Sequence, residues 1–173
     1  YGAVVLAVPA PQAVSLLAPV SPAGAAVAAS APMRGSWAVM LRYAAPLAMP
    51  WEGVFINTGP LRWVARDSSK PGRTGPETWL LHASPEWSDA HMEDDADAVT
   101  AALIAAFVAL GGPAPLAATA HRWRYADSEP PLALGSWWDA SLRLGMCGDW
   151  LNGGKVEGAW LSGRALAQQV QAA

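Results

Sequence analysis

Residues 146–163, MCGDWLNGGKVEGAWLSG, combine the residue types of a ligand-binding turn. A short apolar strand over 144–147 leads into a Gly-Asp turn at 148–149, a Gly-Gly pair at 153–154 and then a helix. The first backbone N–H groups of a helix lack intrahelical partners, and the helix dipole is positive there. This pattern predicts a site for an electron-rich ligand edge, with Asp149 accepting hydrogen bonds from hydroxyl groups. From the residues alone, an ordinary glycine-rich strand-to-helix junction explains the pattern equally well.

The segment CGDWLNGGKVEGAWLSGRALA resembles the C-terminal flavin-contacting segment of FAD-dependent oxidoreductases of the flavin-containing amine-oxidase superfamily. Within that superfamily it is most similar to the bacterial renalase-like proteins. The resemblance extends through five further blocks in the family's order, which are YGAVVLAVPAPQA, SWAVMLRYAAPL, LRWVARDSSKPGR, TWLLHASPEWS and AHRWRYA. It implies an enzyme that oxidises a dihydronicotinamide-type small molecule by hydride transfer to flavin, with O₂ reoxidising the flavin to give hydrogen peroxide.

The resemblance also implies which residues hold the cofactor. Asp149 would accept hydrogen bonds from the ribityl chain, and residues 153–156 would offer backbone N–H groups to the pyrimidine edge of the flavin. No His or Cys lies in an evident flavinylation context, so we expect noncovalent FAD. The Gly-Gly pair replaces the Ser-Gly of close relatives, which removes no backbone donor. The predicted cofactor-binding residues are Gly148, Asp149, Trp150, Gly153, Gly154, Lys155, Val156 and Glu157.

For the substrate, a sheet face that supplies aromatic and a few polar groups is expected. His82 is the candidate catalytic residue, because its LHAS context matches a family block and its strand face is otherwise apolar. A lone His on a strand is, however, more often a structural residue of the core. The further candidates for the substrate pocket are Asn57, Trp63, Arg66 and His121.

One expected motif is absent from the sequence. Dinucleotide-binding domains begin with a βαβ unit that carries Gly-x-Gly-x-x-Gly and an acidic ribose ligand, and this sequence contains neither. We therefore expect the C-terminal half of a larger flavoprotein, whose partner is the missing N-terminal dinucleotide-binding half. Ten Trp and an apolar fraction of 53% agree with surfaces that such a half would cover. Residues 1–173 alone are expected to be inactive and to bind FAD weakly or not at all.

The predicted fold is α+β or α/β. It comprises a mixed, largely antiparallel sheet with helices, plus the terminal strands and C-terminal helix of an incomplete Rossmann-like FAD-binding domain. Residues 1–18 and 139–173 are assigned to the FAD-binding domain and 19–138 to the substrate-binding domain. Strands are predicted over 1–8, which is expected to be buried on both faces, and over 36–43, 53–57, 61–66, 78–83, 116–125 and 144–147. The acidic residues Glu93, Asp94, Asp95 and Asp97 are expected to complement the dipole of a helix over 99–110, with a metal site as the alternative.

Composition narrows the classes of function. The net charge of −3 gives no reason to expect a nucleic acid or an anionic membrane as partner. Residues 1–33 carry no charge, but five Pro interrupt them and no basic region precedes them, so we predict neither a membrane span nor a signal peptide. A single cysteine, Cys147, is typical of a reducing compartment, and a cytoplasmic location is expected. One Cys and three scattered His favour no metal site, and the absence of G-x-S-x-G disfavours a serine hydrolase.

Two other functions remain compatible with the sequence. The parent protein could be a different flavoenzyme of the amine-oxidase superfamily, acting on an amine or on a lipid-like alkene. The chain could also be a binding module without turnover.

Overall fold

A computed structural model describes residues 2–173, and the chain divides into two compact units. The first unit contains residues 1–34 and 125–173, and the second contains residues 35–124. The roles assigned to 1–18, 19–138 and 139–173 stay a prediction. The helices and strands follow in the order β1 (Val4–Leu6), α1 (Ala10–Leu17), α2 (Pro22–Ala29), β2 (Met33–Tyr43), β3 (Gly53–Phe55), β4 (Leu61–Arg66), β5 (Glu77–Ala83), α3 (Pro85–Ala90), α4 (Ala96–Ala109), β6 (Ala117–Ser128), β7 (Trp137–Asp139), β8 (Leu144–Met146) and α5 (Val156–Ala172).

The first unit is built on a three-stranded sheet with the order β1-β8-β7. Strand β8 runs parallel to β1 and antiparallel to β7, and it is buried along its whole length. Helices α1 and α2 pack on each other and on β8 through small and apolar side chains. Each begins with Pro in its first turn, where a missing N–H costs no hydrogen bond.

The predicted burial of residues 1–8 on both faces is wrong for the described part of that segment. Strand β1 is at the edge of its sheet, and the side chains of Val4 and Val5 are 51% and 48% exposed. An edge strand with apolar side chains in water is the surface that a further strand or domain would cover. Tyr1 lies outside the described residues.

The second unit contains a five-stranded sheet with the order β3-β4-β5-β2-β6. The pairs β2–β5, β4–β5 and β3–β4 are antiparallel. Alternate residues of β2 and β5 point to one face, where Trp37, Val39, Leu41, Trp79 and Leu81 are buried. Side chains of α4 complete that core, and the other face of the sheet is less covered. The predicted fold class, a mixed α+β chain with a largely antiparallel sheet and helices, is confirmed.

Strand β4 departs from the predicted alternation. Regular alternation along the predicted strand 61–66 would place Leu61, Trp63 and Ala65 on one face, but a register shift between Leu61 and Trp63 interrupts the pairing. Leu61 is paired with Ala83, whereas Trp63 is paired with His82, the next residue of β5. Because adjacent residues of a strand point to opposite faces, Trp63 lies on the face opposite Leu61.

The acidic residues before α4 have separate partners. Asp95 caps the helix by accepting a hydrogen bond from the Asp97 amide at 2.8 Å, as a dipole-complementary cap requires. Glu93 instead pairs with Arg122 and Arg124 of β6, and the Asp94 carboxylate accepts a hydrogen bond from the His91 imidazole. The described residues contain no group of three potential ligands for a metal ion, and none of their helices is both long and apolar enough to cross a membrane.

An ion pair between the partly buried Arg66 and the buried Glu77 joins β4 to β5. The Nε of Arg66 lies 2.9 Å from the Glu77 carboxylate, which also accepts hydrogen bonds from the Trp79 indole at 2.8 Å and the Ser68 hydroxyl at 2.8 Å. Burial alone would raise the pKa of Glu77, but these hydrogen bonds, with one from the Leu47 amide, lower it. The lowered pKa means that the ionised form stabilises the folded state.

We predict that Glu77→Gln lowers the free energy of unfolding at pH 7 by about 3 kcal/mol, because it leaves the partly buried Arg66 without its close counter-charge. Glu52 is the matched control, because it lies 3.8 Å from the same guanidinium but is exposed. Glu52→Gln should cost less than about 1 kcal/mol. Urea unfolding of both variants measures the difference.

The pH dependence provides a second measurement. Because the folded pKa of Glu77 is depressed, its contribution is complete above the unfolded value of about 4.3 and is lost as the pH falls through the folded value. The Glu77→Gln variant should therefore lose less stability between pH 7 and acid than the parent protein does. Parallel stability profiles for the two proteins would contradict this assignment.

Candidate functional site

The turn that carries Asp149 is closed by its own backbone. The Asp149 carbonyl accepts hydrogen bonds from the amides of Asn152 at 2.8 Å and Gly154 at 2.9 Å. The chain can close in this way because Gly153 and Gly154 adopt left-handed φ values of 81° and 67°, which side chains with a Cβ resist. We call residues 148–154 the Asp149 turn.

Neighbouring segments of the first unit hold the Asp149 turn in place. The Trp150 side chain is 1% exposed, and its indole N–H donates to the Val8 carbonyl at 3.0 Å. The Leu132 amide donates to the Trp150 carbonyl at 2.8 Å, and the Gly148 amide donates to the Ser162 hydroxyl at 3.0 Å. Trp150, predicted to bind the cofactor, therefore lies with its side chain in the core and anchors the turn.

Helix α5 approaches the turn at Gly158. A Cβ at this position would overlap the Asn152 carbonyl oxygen, so the closeness requires glycine. The Asn152 side-chain amide also donates to the Gly158 carbonyl at 3.2 Å. Together these contacts set the distance between the start of α5 and the Asp149 turn.

A pocket of about 260 Å³ opens beside the turn. The Asp149 side chain is only half-buried, and it makes no hydrogen bond or ion pair among the described residues. This carboxylate is therefore free to accept hydrogen bonds from a ligand. Burial raises the pKa of the Cys147 thiol, which keeps it neutral at pH 7. The pocket is lined mainly by Val8, Pro9, Met33, Tyr125, Cys147 and Asp149. Met33 and Tyr125 are distant in sequence from the motif, so no local pattern indicates that they belong to this pocket.

The start of α5 offers some, but not all, of the predicted amide donors. The Gly154 N–H already donates to Asp149, which removes it from the predicted set of ligand contacts. The amides of Lys155, Val156 and Glu157 have no acceptor among the described residues, as expected for a first helical turn. Residues 155–157 are all exposed, and Val156 is 91% exposed, so the start of α5 faces solvent.

A second surface lies on the second unit, on the face of the five-stranded sheet opposite the α4 core. We call it the open face. The register places Ala38, His82 and Trp63 side by side across β2, β5 and β4. The Trp63 ring contacts Phe55 with centroids 4.5 Å apart. The open face thus presents a histidine among apolar side chains, as the sequence predicted for His82.

His82 is partly buried on the open face. Burial lowers its pKa, and the positive charge of Lys70 lowers it further. The imidazole is consequently neutral at pH 7, with one nitrogen able to accept a proton or a hydrogen bond.

The other substrate-pocket candidates occupy three different places. His121 of β6 shares the open face, because Ala118 and Ala120 point to the core and His121 alternates with them. Arg66 points to the core side, where Glu77 binds it, so its prediction as a pocket residue is not supported by its position. Asn57 lies in a separate concavity formed by the β3–β4 turn and the start of α3.

The close contact at Gly158 leads to a prediction about two glycines of one helix. Gly158→Ala should lower the free energy of unfolding by about 2 kcal/mol, because the new methyl group forces α5 away from Asn152. Gly163 is the control, since a Cβ there meets no atom within 4 Å. Gly163→Ala should stabilise the helix by up to about 1 kcal/mol. Equal effects of the two substitutions in urea unfolding would show that the contact is not tight.

No protein-family model matches the sequence. Three solved structures share the fold over almost the whole chain. A candidate protoporphyrinogen oxidase from Exiguobacterium sp. 255-15 matches 99% of this chain with a TM-score of 0.75 and 12% identity. Cyclohexylamine oxidase from Brevibacterium oxydans IH-35A matches 96% of it with a TM-score of 0.66 and 17% identity, and a cofactor-binding redesign of putrescine oxidase matches 99% with a TM-score of 0.63 and 17% identity. The chain spans 41%, 42% and 43% of the lengths of these proteins, respectively. At these identities the similarity establishes the fold of this chain alone.

Proposed function

We propose that the complete protein is an FAD-dependent oxidoreductase and that this chain supplies one end of its flavin site. The observation that carries the proposal is the Asp149 turn, in which a free carboxylate and unpaired helix-start amides lie on a fold shared with three oxidases. The chain's C-terminal resemblance to flavin-contacting segments supports the same cofactor. Residues 1–18 and 139–173 would belong to the FAD-binding domain, in a cytoplasmic enzyme.

The residues of the Asp149 turn fit a noncovalent flavin. Asp149 would accept hydrogen bonds from ribityl hydroxyls, and it needs no displacement of an existing partner to do so. The amides of Lys155, Val156 and Glu157 would donate to a carbonyl edge, where the positive end of the α5 dipole favours developing negative charge. The glycines at 153–154 leave the backbone bare, which permits close approach of a flat ring.

On the substrate side, we propose that His82 contacts the molecule being oxidised. A neutral imidazole among apolar groups can orient a polar substituent and exclude water from the reacting atoms. FAD, when bound, would supply the hydride acceptor for a dihydronicotinamide-type substrate, with O₂ as the final electron acceptor and hydrogen peroxide as its product. His121 and Trp63, on the same sheet face, would contribute to the wall of the substrate pocket.

A second candidate function is amine oxidation. Two of the three structural neighbours are named as a cyclohexylamine oxidase and a putrescine oxidase, which favours it. The apolar side chains of the open face could contact the hydrocarbon part of an amine. Anaerobic reduction of the flavin by amines, and not by dihydronicotinamides, would select this second function.

We predict that Asp149→Ala in the complete protein weakens FAD retention by roughly one to two decades in affinity, because a ribityl hydroxyl loses a charged acceptor worth about 1.5–3 kcal/mol. Asp149→Asn keeps an uncharged oxygen acceptor and should lose less. Flavin absorbance after extensive dialysis measures both effects. An unchanged flavin content in the Asp149→Ala protein would remove this residue from the site.

We predict that His82→Ala slows flavin reduction by substrate roughly tenfold or more while the resting flavin absorbance stays intact. His91 is the control, because it stacks on Trp87 and pairs with Asp94 of the segment before α4. Rapid-mixing measurements should show an unchanged rate for His91→Ala. Loss of the folded protein in His82→Ala, with His82→Gln fully active, would identify His82 as a residue of the core.

A further inference from the structure

A second pocket of the second unit has no role in the flavin site. It has a volume of about 350 Å³, at the lower end of the range for small-molecule sites. We call it the loop pocket, because the loop over 67–76 forms its rim above the open face. Its floor is the apolar part of that face, and its lining includes Met40, Thr78, Leu80, Asp67, Arg73 and Thr74.

Positive charge exceeds negative charge at the rim of the loop pocket. One carboxylate, Asp67, is shared by Lys70, at 2.7 Å, and by Arg73. Arg42 lies directly across from Thr78 in the β2–β5 register, and its side chain has no hydrogen bond or ion pair among the described residues. Asp67 and Arg73 line the pocket itself, while Lys70 belongs to the loop and Arg42 to the neighbouring strand, so three cations and one anion surround this region although the whole chain has a net charge of −3.

The remaining acids nearby do not cancel this excess. Glu77 is on the core side of β5, where Arg66 already pairs with it. Glu52 is exposed and also lies against Arg66. Neither Glu77 nor Glu52 therefore neutralises Lys70, Arg73 or Arg42, and a bound anion would be attracted by these cations.

The loop pocket and His82 lie along one strand face. Thr78, Leu80 and His82 alternate on the open face of β5, and the charge of Lys70 reaches His82. The four residue steps from Thr78 to His82 along the strand correspond to roughly 13 Å. A molecule that reacts beside His82 could therefore place an anionic group in the loop pocket without leaving the face.

We propose that the loop pocket binds the carboxylate of a small molecule whose apolar body lies on Met40 and Leu80. Arg73 is the principal ligand, because a guanidinium matches a carboxylate with two parallel hydrogen bonds, while Lys70 and Arg42 add charge. Asp67 then acts as an internal competitor that the ligand displaces. The identification of this molecule as the substrate rests on the proposed function, whereas the anion site does not.

The direct test is calorimetric titration of the complete protein with benzoate, which has an apolar ring and one carboxylate. Arg73→Gln should weaken binding about tenfold. Asp67→Asn should strengthen it at least threefold, because it frees both cations without adding a contact. Arg62→Gln is the control, since Arg62 is exposed and lines the separate concavity beside Asn57. These opposite effects of two rim substitutions cannot arise from unfolding.

Two further ligands distinguish the contribution of the apolar ring to binding from that of the carboxylate charge. Acetate, which lacks the ring, and benzamide, which lacks the charge, should each bind at least tenfold more weakly than benzoate. Inorganic phosphate that binds as tightly as benzoate would overturn the assignment to a carboxylate. Benzoate affinity that is the same in Arg73→Gln, Asp67→Asn and the parent protein would overturn the site itself.

Nuclear magnetic resonance locates the bound anion independently of flavin. In protein labelled with ¹³C-histidine, the His82 signal is identified by its loss in His82→Gln. Bound benzoate should raise the pKa of His82, because its negative charge offsets that of Lys70. Benzoate binding without flavin binding would leave the anion site standing and refute the oxidoreductase proposal, and the reverse result would refute only the anion site.

Discussion

The close contact between helix α5 and the carbonyl of Asn152 is the constraint on which the candidate flavin site depends. Only glycine at 158 allows it, and the contact fixes the helix start beside the Asp149 turn. The turn is anchored from its other side by the buried Trp150 indole, which binds the Val8 carbonyl. Because both ends of the turn are held, the Asp149 carboxylate can remain without a partner and still have a defined position. A preorganised acceptor of this kind loses little conformational entropy when a ligand binds.

The second unit uses a different device to support its open face. The ion pair of Arg66 with the buried Glu77, together with the hydrogen bonds from Trp79 and Ser68, ties β4 to β5 on the core side. The rigid core below leaves the opposite face free to carry His82, Trp63 and the loop pocket. The Arg66–Glu77 pair is thus neutralised on the core side of the sheet, whereas cations are in excess at the rim of the loop pocket.

The sequence was informative wherever a local pattern determines the structure. The strands predicted over 36–43 and 78–83 correspond to β2 and β5, whose alternating apolar residues form their buried faces, and the glycine pair before α5 predicted a turn at a helix start. The register shift in β4 could not be predicted, because LRWVAR alternates equally well with or without it. The partner of Arg66 is on a neighbouring strand, so the local sequence could not predict its pairing with Glu77 either. Trp150 belongs to the predicted motif, but its type alone does not show whether it contacts a ligand or the core.

The central claim is that Asp149 holds the ribityl chain of a flavin, and a crystal structure of the complete protein with FAD bound tests it most directly. The quantity to measure is the distance from the Asp149 carboxylate oxygens to the ribityl hydroxyls. At least one hydrogen bond of about 2.5–3.0 Å is expected, with the flavin carbonyl edge facing the start of α5. A flavin bound elsewhere, or an Asp149 side chain that is paired only with protein groups in that structure, would contradict it.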